Sequence, residues 1–557
     1  MTGAAQSAPK GGWAGRGMGV ALLGCAVLVA AVLLQVLRND WVWDDRIMLG
    51  PDYPSTLSAL PGLLRAPFWA PAPLSGAALP AYWRPLTTFV FWLAAALGGA
   101  AWVGHALSVL GAAFAASALY ALLRALRPLD DRRVHGWLAL VYLAHPVTAE
   151  ATCMALNVSD HLALGSLLWA LRLGVQVRGG AKARFRLPGV FAAVLAACAA
   201  KEFGVLGALV PLGAWLLARE NDTAKDLVRR PGRGVRAALW AVSLVPVGLY
   251  ALLRARVLQG VPTTDWLLMP AGHWLLAVGA AFRQIGAVAV TGASLPLRPG
   301  LVFSWATSAA VVLGLVALWV GQLWRKPRRR VGFWGLLVGL ALFAPSVLGS
   351  SFAEGSPFVA TRYVHLLLAG VVLALAPVAT PALRARIGWL AVPVVLVLAV
   401  FSLARVDDWR DEERFFGAEH RAFPLAHAPW HNLLAAQLRA GHFDEAEATV
   451  HHYTARKPTL TVHETGIQLH TLARIAWQRD GDLAAATALA HRALLAQPAD
   501  IGHLMLLVEI RAAAGRPEEG MDLLHRALNS NLYTPSQVRV IEANRQRLQA
   551  WMTQPPP

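Results

Sequence analysis

Cysteine is scarce: Cys25, Cys153 and Cys198 are the three in 557 residues. They supply neither a metal-ligand spacing nor a disulfide framework, so the redox compartment is not written in them. Charge is thin as well. Asp, Glu, Lys and Arg make up 15% of the chain against 56% hydrophobic residues, with a mean hydropathy of +0.48. That balance excludes a soluble multidomain enzyme. Neither glycine-rich phosphate loop is present, nor a zinc signature, which removes the common nucleotide and zinc classes. The first apolar run, from Val20 to Leu37, follows Lys10 and Arg16 as a signal peptide would. No small-residue cleavage site comes after it in "LQVLRNDW", so it reads as a retained anchor.

Apolar runs long enough to cross a bilayer recur along most of the chain, which makes this a polytopic membrane protein. The 50 basic residues outnumber the 32 acidic ones, for a formal charge of +18. In a soluble chain that excess would suggest nucleic acid. Here it gathers in short loops between apolar runs, the positive-inside pattern, so the partner is the lipid bilayer and not nucleic acid. The clusters are Arg124 to Arg133, "RGGAKARFR" from Arg178, "RRPGRGVR" from Arg229, "RKPRRR" from Arg325, and Arg384 with Arg386.

With all of these on the cytoplasmic face, the spacing predicts about eleven crossings: 18–37, 102–124, 135–153, 160–177, 187–203, 204–219, 237–254, 301–324, 331–350, 363–380 and 388–404. An odd number puts the N-terminus in the cytoplasm and the C-terminus outside. "PLTTFVFWLAAALGGA" after Pro85 and the stretch from His273 would break the charge rule as crossings. Arg283 and Gln284 also sit in the middle of the second. Both are expected as interfacial or bundle-packed helices.

The expected fold class is all-α: a transmembrane domain over 1–404, a linker helix over 405–425, and an extracytoplasmic α-solenoid over 426–557. In the solenoid "LLAAQLRAGHFDEAEATVHHYTARKP" and "LARIAWQRDGDLAAATALAHRALLAQP" share one layout of helix, Gly, turn, helix and Pro. Gly481 and Gly515 are 34 residues apart, the tetratricopeptide period, while Gly441 sits further off. Ala446, Ala486, Ala493 and Gly520 take the small-residue positions, and Pro458 and Pro498 the helix stops. A stack of such repeats buries a continuous core and exposes a docking groove. The plainer reading is a generic helical bundle.

Ionisable residues at span ends are costly and often functional. The adjacent Asp44 and Asp45 lie in the outer loop 38–84, whose far end carries "YWRPL" with Arg84. "HPVTAE" brings His145 and Glu150 and leads on to Asp160. "AAKEFG" brings Lys201 and Glu202, and "TRYVH" brings Arg362 and Tyr363. All fall on the outer face of a map drawn only from Lys and Arg bias. Such a set suits group transfer from a lipid phosphate. A carboxylate takes the proton of an attacking hydroxyl, and Arg or Lys holds the phosphate that leaves. Each residue has a plainer role: solvated flank for the Asp pair, snorkelling for Arg84, a helix cap for His145, mutual neutralisation for Lys201 and Glu202, packing for Tyr363.

Taken in order, "WVWDD", "YWRPL", "HPVTAE" with a trailing Asp, "AAKE" and "TRY", ending in repeats, resemble the transmembrane O-mannosyltransferase-type members of the GT-C glycosyltransferase superfamily. The resemblance covers nearly the whole chain. It implies a polyprenyl-phosphate-linked sugar, plausibly mannose, and an acceptor hydroxyl on a protein or glycan. It also implies an extracytoplasmic site in a bacterial inner membrane, with Asp44 or Asp45 as the base. Glu150 and Asp160 are then candidates to hold a divalent metal ion or to orient the base. Four positions depart from the family pattern: Asn157 and Val158 stand where it has Gly-Arg, Thr361 where it has Glu, and His365 where it has Tyr. A non-catalytic repeat scaffold and a transporter for a lipid-linked substrate are the rival readings. A transporter would call for inverted halves and polar groups near the bilayer midplane.

Overall fold

The computed structural model describes residues 13–49, 53–69, 82–126, 132–178, 183–218, 232–259, 334–341, 364–375, 381–422 and 424–553. Among these every regular element is a helix, in line with the all-α expectation. The described residues divide into two compact units, one ending at Arg410 and one beginning at Asp411. The change falls inside the expected linker.

The first unit opens with α1 (Trp13–Leu34), then the short α2 (Asp44–Met48) and α3 (Leu60–Leu64), α4 (Pro85–Ala96) and α5 (Ala101–Leu126). It continues with α6 (Arg132–Ala144), α7 (Pro146–Cys153), α8 (Val158–Arg178), α9 (Ala183–Ala200), α10 (Val210–Ala218) and α11 (Arg233–Val257). Then come α12 (Val364–Leu375) and α13 (Pro381–Asp408). The centre is α5 against α8, with α9 on the other side of α8 and α11 on α9; α13 packs on α1, α6 and α7. Small residues set the α5–α8 approach. A Cβ on Gly165 would lie 2.5 Å from the Phe114 ring and 3.2 Å from the Ala115 backbone. Around that contact Ala112, Ala115, Ala118, Leu119, Leu122 and Ala163 are wholly out of solvent.

Five described segments are long and apolar enough to cross a membrane: Gly17–Arg38, Ala101–Leu126, Ala183–Ala200, Arg233–Val257 and Trp389–Asp408. These match the expected crossings 18–37, 102–124, 187–203, 237–254 and 388–404. The others take different forms. Over 135–153 the chain breaks at His145–Pro146 into α6 and α7, because proline is well placed at a helix's first position and poorly placed within it. The expected crossing 204–219 begins as a 3-10 run, Glu202–Leu209, before α10. Helix α8 has 21 residues but carries Asp160, His161, Arg172 and Gln176. Helix α4, at 12 residues, is too short to cross at 1.5 Å per residue, as the charge rule required. The expected crossing 301–324, most of 331–350 and the stretch from His273 lie outside the described residues.

The second unit holds α14 (Glu412–Ala422) and three helical hairpins: α15 (His427–Ala440) with α16 (Phe443–Arg456), α17 (Val462–Gln478) with α18 (Leu483–Ala496), and α19 (Ile501–Ala513) with α20 (Pro517–Leu528). Helix α21 (Pro535–Thr553) packs on α20. Gly441, Gly481 and Gly515 turn the three hairpins with φ of 76°, 70° and 74°, a left-handed conformation that costs glycine nothing. Ala446, Ala486 and Ala493 are fully buried at the crossings. Thr461 and Glu464 close a reciprocal capping box at the start of α17.

The first helices of the hairpins carry five histidines: His427 and His431 on α15, His463 and His470 on α17, and His503 on α19. Nδ1 of His470 and Nδ1 of His503 stand 3.1 Å apart. Gln497 bridges onward, its Oε1 3.3 Å from His503 Nε2 and its Nε2 2.7 Å from His463 Nδ1. Burial, and next the neighbouring His503, pull the His470 imidazole down to about 3.

Candidate functional site

The Asp pair follows α1, and its two members play different parts. Asp45 is wholly buried. Its Oδ2 accepts from the Ala155 N–H at 2.7 Å and its Oδ1 from the Leu156 N–H at 2.8 Å. Those amides open the 3-10 turn Ala155–Asn157 at the head of α8, where N–H groups lack helical partners. A carboxylate is the acceptor that end demands, so Asp45 pins the loop onto α8. Asp44 is half-buried and is the first residue of α2. Before it comes Trp43 at φ 56°, the one non-glycine with positive φ among the described residues. A bulky residue there is strained, and the surrounding contacts hold it in place.

Those contacts are specific. Trp41 lies flat enough on α5 that a Cβ on Gly104 would fall 2.5 Å from its ring, and its ring centroid is 5.6 Å from that of His105. His105 Nε2 is 3.2 Å from the Asp40 carbonyl. The Asp40 N–H donates to the Arg410 carbonyl at 2.9 Å, and the Asn39 amide donates to the Val406 carbonyl at 3.3 Å. Both ends of the loop segment 39–45 are therefore tied to helices distant in sequence.

The first unit also holds three ion pairs among the candidate residues. Lys201 Nζ donates to both oxygens of Asp160 at 2.7 and 2.6 Å. Arg84 forms a fork on Glu202, from Nε at 3.0 Å to each oxygen and from Nη2 at 2.7 Å. Its guanidinium lies 4.3 Å from the Tyr82 ring centroid and 4.9 Å from that of Phe68. Burial works against the Arg84 charge, but Glu202 outweighs it and holds the guanidinium above its ordinary range. Glu150 faces Arg405 at 3.3 Å, and Arg405 also reaches Asp408 at 3.3 Å. Glu150, Asp160 and Arg405 are all at most 5% exposed.

His145 caps α7, its Nδ1 accepting from the Val147 N–H at 3.3 Å, which is the structural role a His-Pro turn suggests. Glu150 and Asp160, the candidate metal ligands, each face a cation. Among the described residues no group of three or more His, Cys, Asp or Glu is arranged to hold a metal ion. That donor set does not fit a divalent ion. Arg362, Tyr363 and Thr361 lie outside the described residues. His365, the next candidate position in sequence, is buried on α12, its ring 5.0 Å from that of His161.

The sequence thus pairs Lys201 with Asp160 and Arg84 with Glu202, and ties Asp45 to the head of α8. It gave no warning of Arg405, a site member that reads as the last charge of a crossing. The sole signal was an Arg three residues before an Asp at a span end, a motif too common to single out. Comparisons with protein-family models, curated proteins and solved structures return no match to this chain.

Proposed function

We propose that this chain is a GT-C-type membrane glycosyltransferase with about eleven crossings, working on the outer face of a bacterial inner membrane. It moves a sugar, mannose by the resemblance, from a polyprenyl phosphate to a hydroxyl of a protein or glycan. The observation that carries this reading is the division of labour in the Asp pair. Asp45 is locked beneath two backbone amides, while Asp44 stands half-buried beside it behind a strained backbone. That arrangement supports Asp44 as the base. It accepts the proton of the acceptor hydroxyl as that oxygen bonds to the anomeric carbon, and the bond to the lipid phosphate breaks with its electron pair on phosphate.

Arg84 is favoured over Lys201 to receive that phosphate. The Glu202 side chain is 26% exposed and can turn to water when phosphate replaces it, whereas Asp160 is 1% exposed and cannot. Arg362 and Tyr363 complete the donor site in this reading. The hairpins of the second unit act as tetratricopeptide repeats that dock the acceptor.

A scaffold without catalysis is the second reading, favoured by the same ion pairs, because both described phosphate candidates, Arg84 and Lys201, already have carboxylates. Incubating the purified protein with a panel of polyprenyl-phosphate sugars decides between them. Turnover of one donor, lost in Asp44→Asn with membrane insertion intact, supports the enzyme. Full turnover in Asp44→Asn and Asp45→Asn together sinks the site assignment, and no turnover of any donor favours the scaffold.

A further inference from the structure

At the other end of the first unit, α5, α6 and α8 form an open cavity of about 430 Å³ lined by Arg124, Arg172 and the exposed Arg132 with Tyr120 and Gln176. No carboxylate is among its described lining residues. This reverses the pattern at the Asp pair, where each buried cation has an acidic partner within 3.3 Å. The Arg172 guanidinium is braced over the Trp169 ring at 4.3 Å, and Arg186 hydrogen-bonds the Gln176 side chain, bringing a fourth guanidinium to the rim. Arg124, Arg172 and Arg186 are all partly buried, so water alone does not fully solvate them. Like charges gathered this way need a counter-anion with several acceptor oxygens, and phosphate is the group whose geometry suits guanidinium forks.

Position identifies the source of that phosphate. From His105, which touches the Asp40 carbonyl, to Arg124 is 19 residues of one helix, about 29 Å at 1.5 Å per residue. That is close to the ~30 Å hydrocarbon thickness of a bilayer, so the cavity lies at the opposite headgroup level from the Asp pair. Charge bias makes that the cytoplasmic side. Phe185, 67% exposed next to Arg186, supplies an apolar anchor at the rim.

We propose that this cavity binds the phosphate diester of an anionic phospholipid of the cytoplasmic leaflet. Tyr120 and Gln176 then offer neutral hydrogen bonds beside the three guanidiniums. The site is independent of the glycosyltransferase reading and needs only that the first unit spans a membrane.

The test uses the full chain in neutral detergent, with native mass spectrometry counting retained lipid during titration. The probes are phosphatidylglycerol, phosphatidylcholine of matched chains, and inorganic phosphate. Phosphatidylglycerol is expected to bind with clear preference. Each of Arg124→Gln, Arg132→Gln and Arg172→Gln is expected to weaken it about fivefold, and the triple variant about a hundredfold. Arg133→Gln, one residue along but outside the cavity lining, should leave it unchanged. Should the triple Gln variant fail to fold, the three single Gln variants carry the same test. Undiminished phosphatidylglycerol binding by the folded triple Gln variant, or by all three single variants, overturns the proposal. So does equal binding of phosphatidylcholine, or inorganic phosphate binding as tightly as the lipid.

Discussion

Lys201 holds both carboxylate oxygens of Asp160, at 2.7 and 2.6 Å, with the carboxylate wholly shielded from water. The Coulomb energy of such a pair is large, and so is the cost of desolvating its members. Removing one partner therefore does more harm than removing both. Lys201→Ala or Asp160→Asn alone should lower stability by about 3–5 kcal/mol. The double variant should cost less than either single one, and so fall short of their sum by more than about 3 kcal/mol. Denaturant unfolding in detergent, run as a double-mutant cycle, reads this directly; strict additivity would show the pair to be uncoupled.

The two aspartates should separate by assay. Asp45→Ala removes both acceptors from the Ala155 and Leu156 amides, an expected cost of about 1.5–3 kcal/mol per charged hydrogen bond in stability. Asp44→Asn keeps the side chain's size and removes its basic carboxylate, so it should abolish donor turnover at a smaller stability loss than Asp45→Ala. A stability loss on Asp44→Asn equal to that of Asp45→Ala would refute the division of labour.

Gly104 is a steric prerequisite for the loop. Gly104→Ala places a Cβ 2.5 Å from the Trp41 ring, so the ring must move. Overpacking of this kind costs about 1–3 kcal/mol. Trp41→Ala in the Gly104→Ala background should recover part of it, visible as a higher unfolding midpoint than Gly104→Ala alone.

Acid should weaken the second unit. Burial and the neighbouring imidazole place His470 at about 3, and burial also lowers His503, against an ordinary histidine near 6.5. Arg474, Asp500 and His431 also act on His470, and Asp500 and His463 on His503. Between pH 6.5 and 3 the unfolded chain binds protons that the folded one refuses, so stability present above pH 6.5 falls as pH drops through that window. Hydrogen exchange of the α17 and α19 amides should speed up from pH 6.5 to 4 beyond the intrinsic rate change. His470→Gln should flatten the dependence.

The elements themselves were legible because they are local. Apolar length marked the five segments able to cross a membrane and glycines marked the hairpin turns, whereas the break at His145–Pro146 fell inside one expected crossing. The anchoring half of the Asp pair was legible only as one of two. Which aspartate meets the α8 amides depends on the backbone at Trp43, and no residue preference foretells a tryptophan with positive φ. Partner choice was illegible for a different reason. Arg84 and Glu202 are 118 residues apart and Glu150 and Arg405 are 255 apart, and one carboxylate looks like another to a distant cation. "AAKE" suggested that Lys201 and Glu202 neutralise each other; each instead reaches for a different helix.

The sequence distances in these pairs also set an order of manufacture. Lys201 follows Asp160 by 41 residues, so their bond can close as soon as the α8–α9 hairpin has left the ribosome. Arg405 follows Glu150 by 255 residues, and α13 is the last helix of its unit. At roughly 5–20 residues per second, the gap between the two is on the order of tens of seconds. Glu150 thus makes the final latch of the bundle, and a chain cut short before α13 would present insertase and protease with a helix still waiting for its cation.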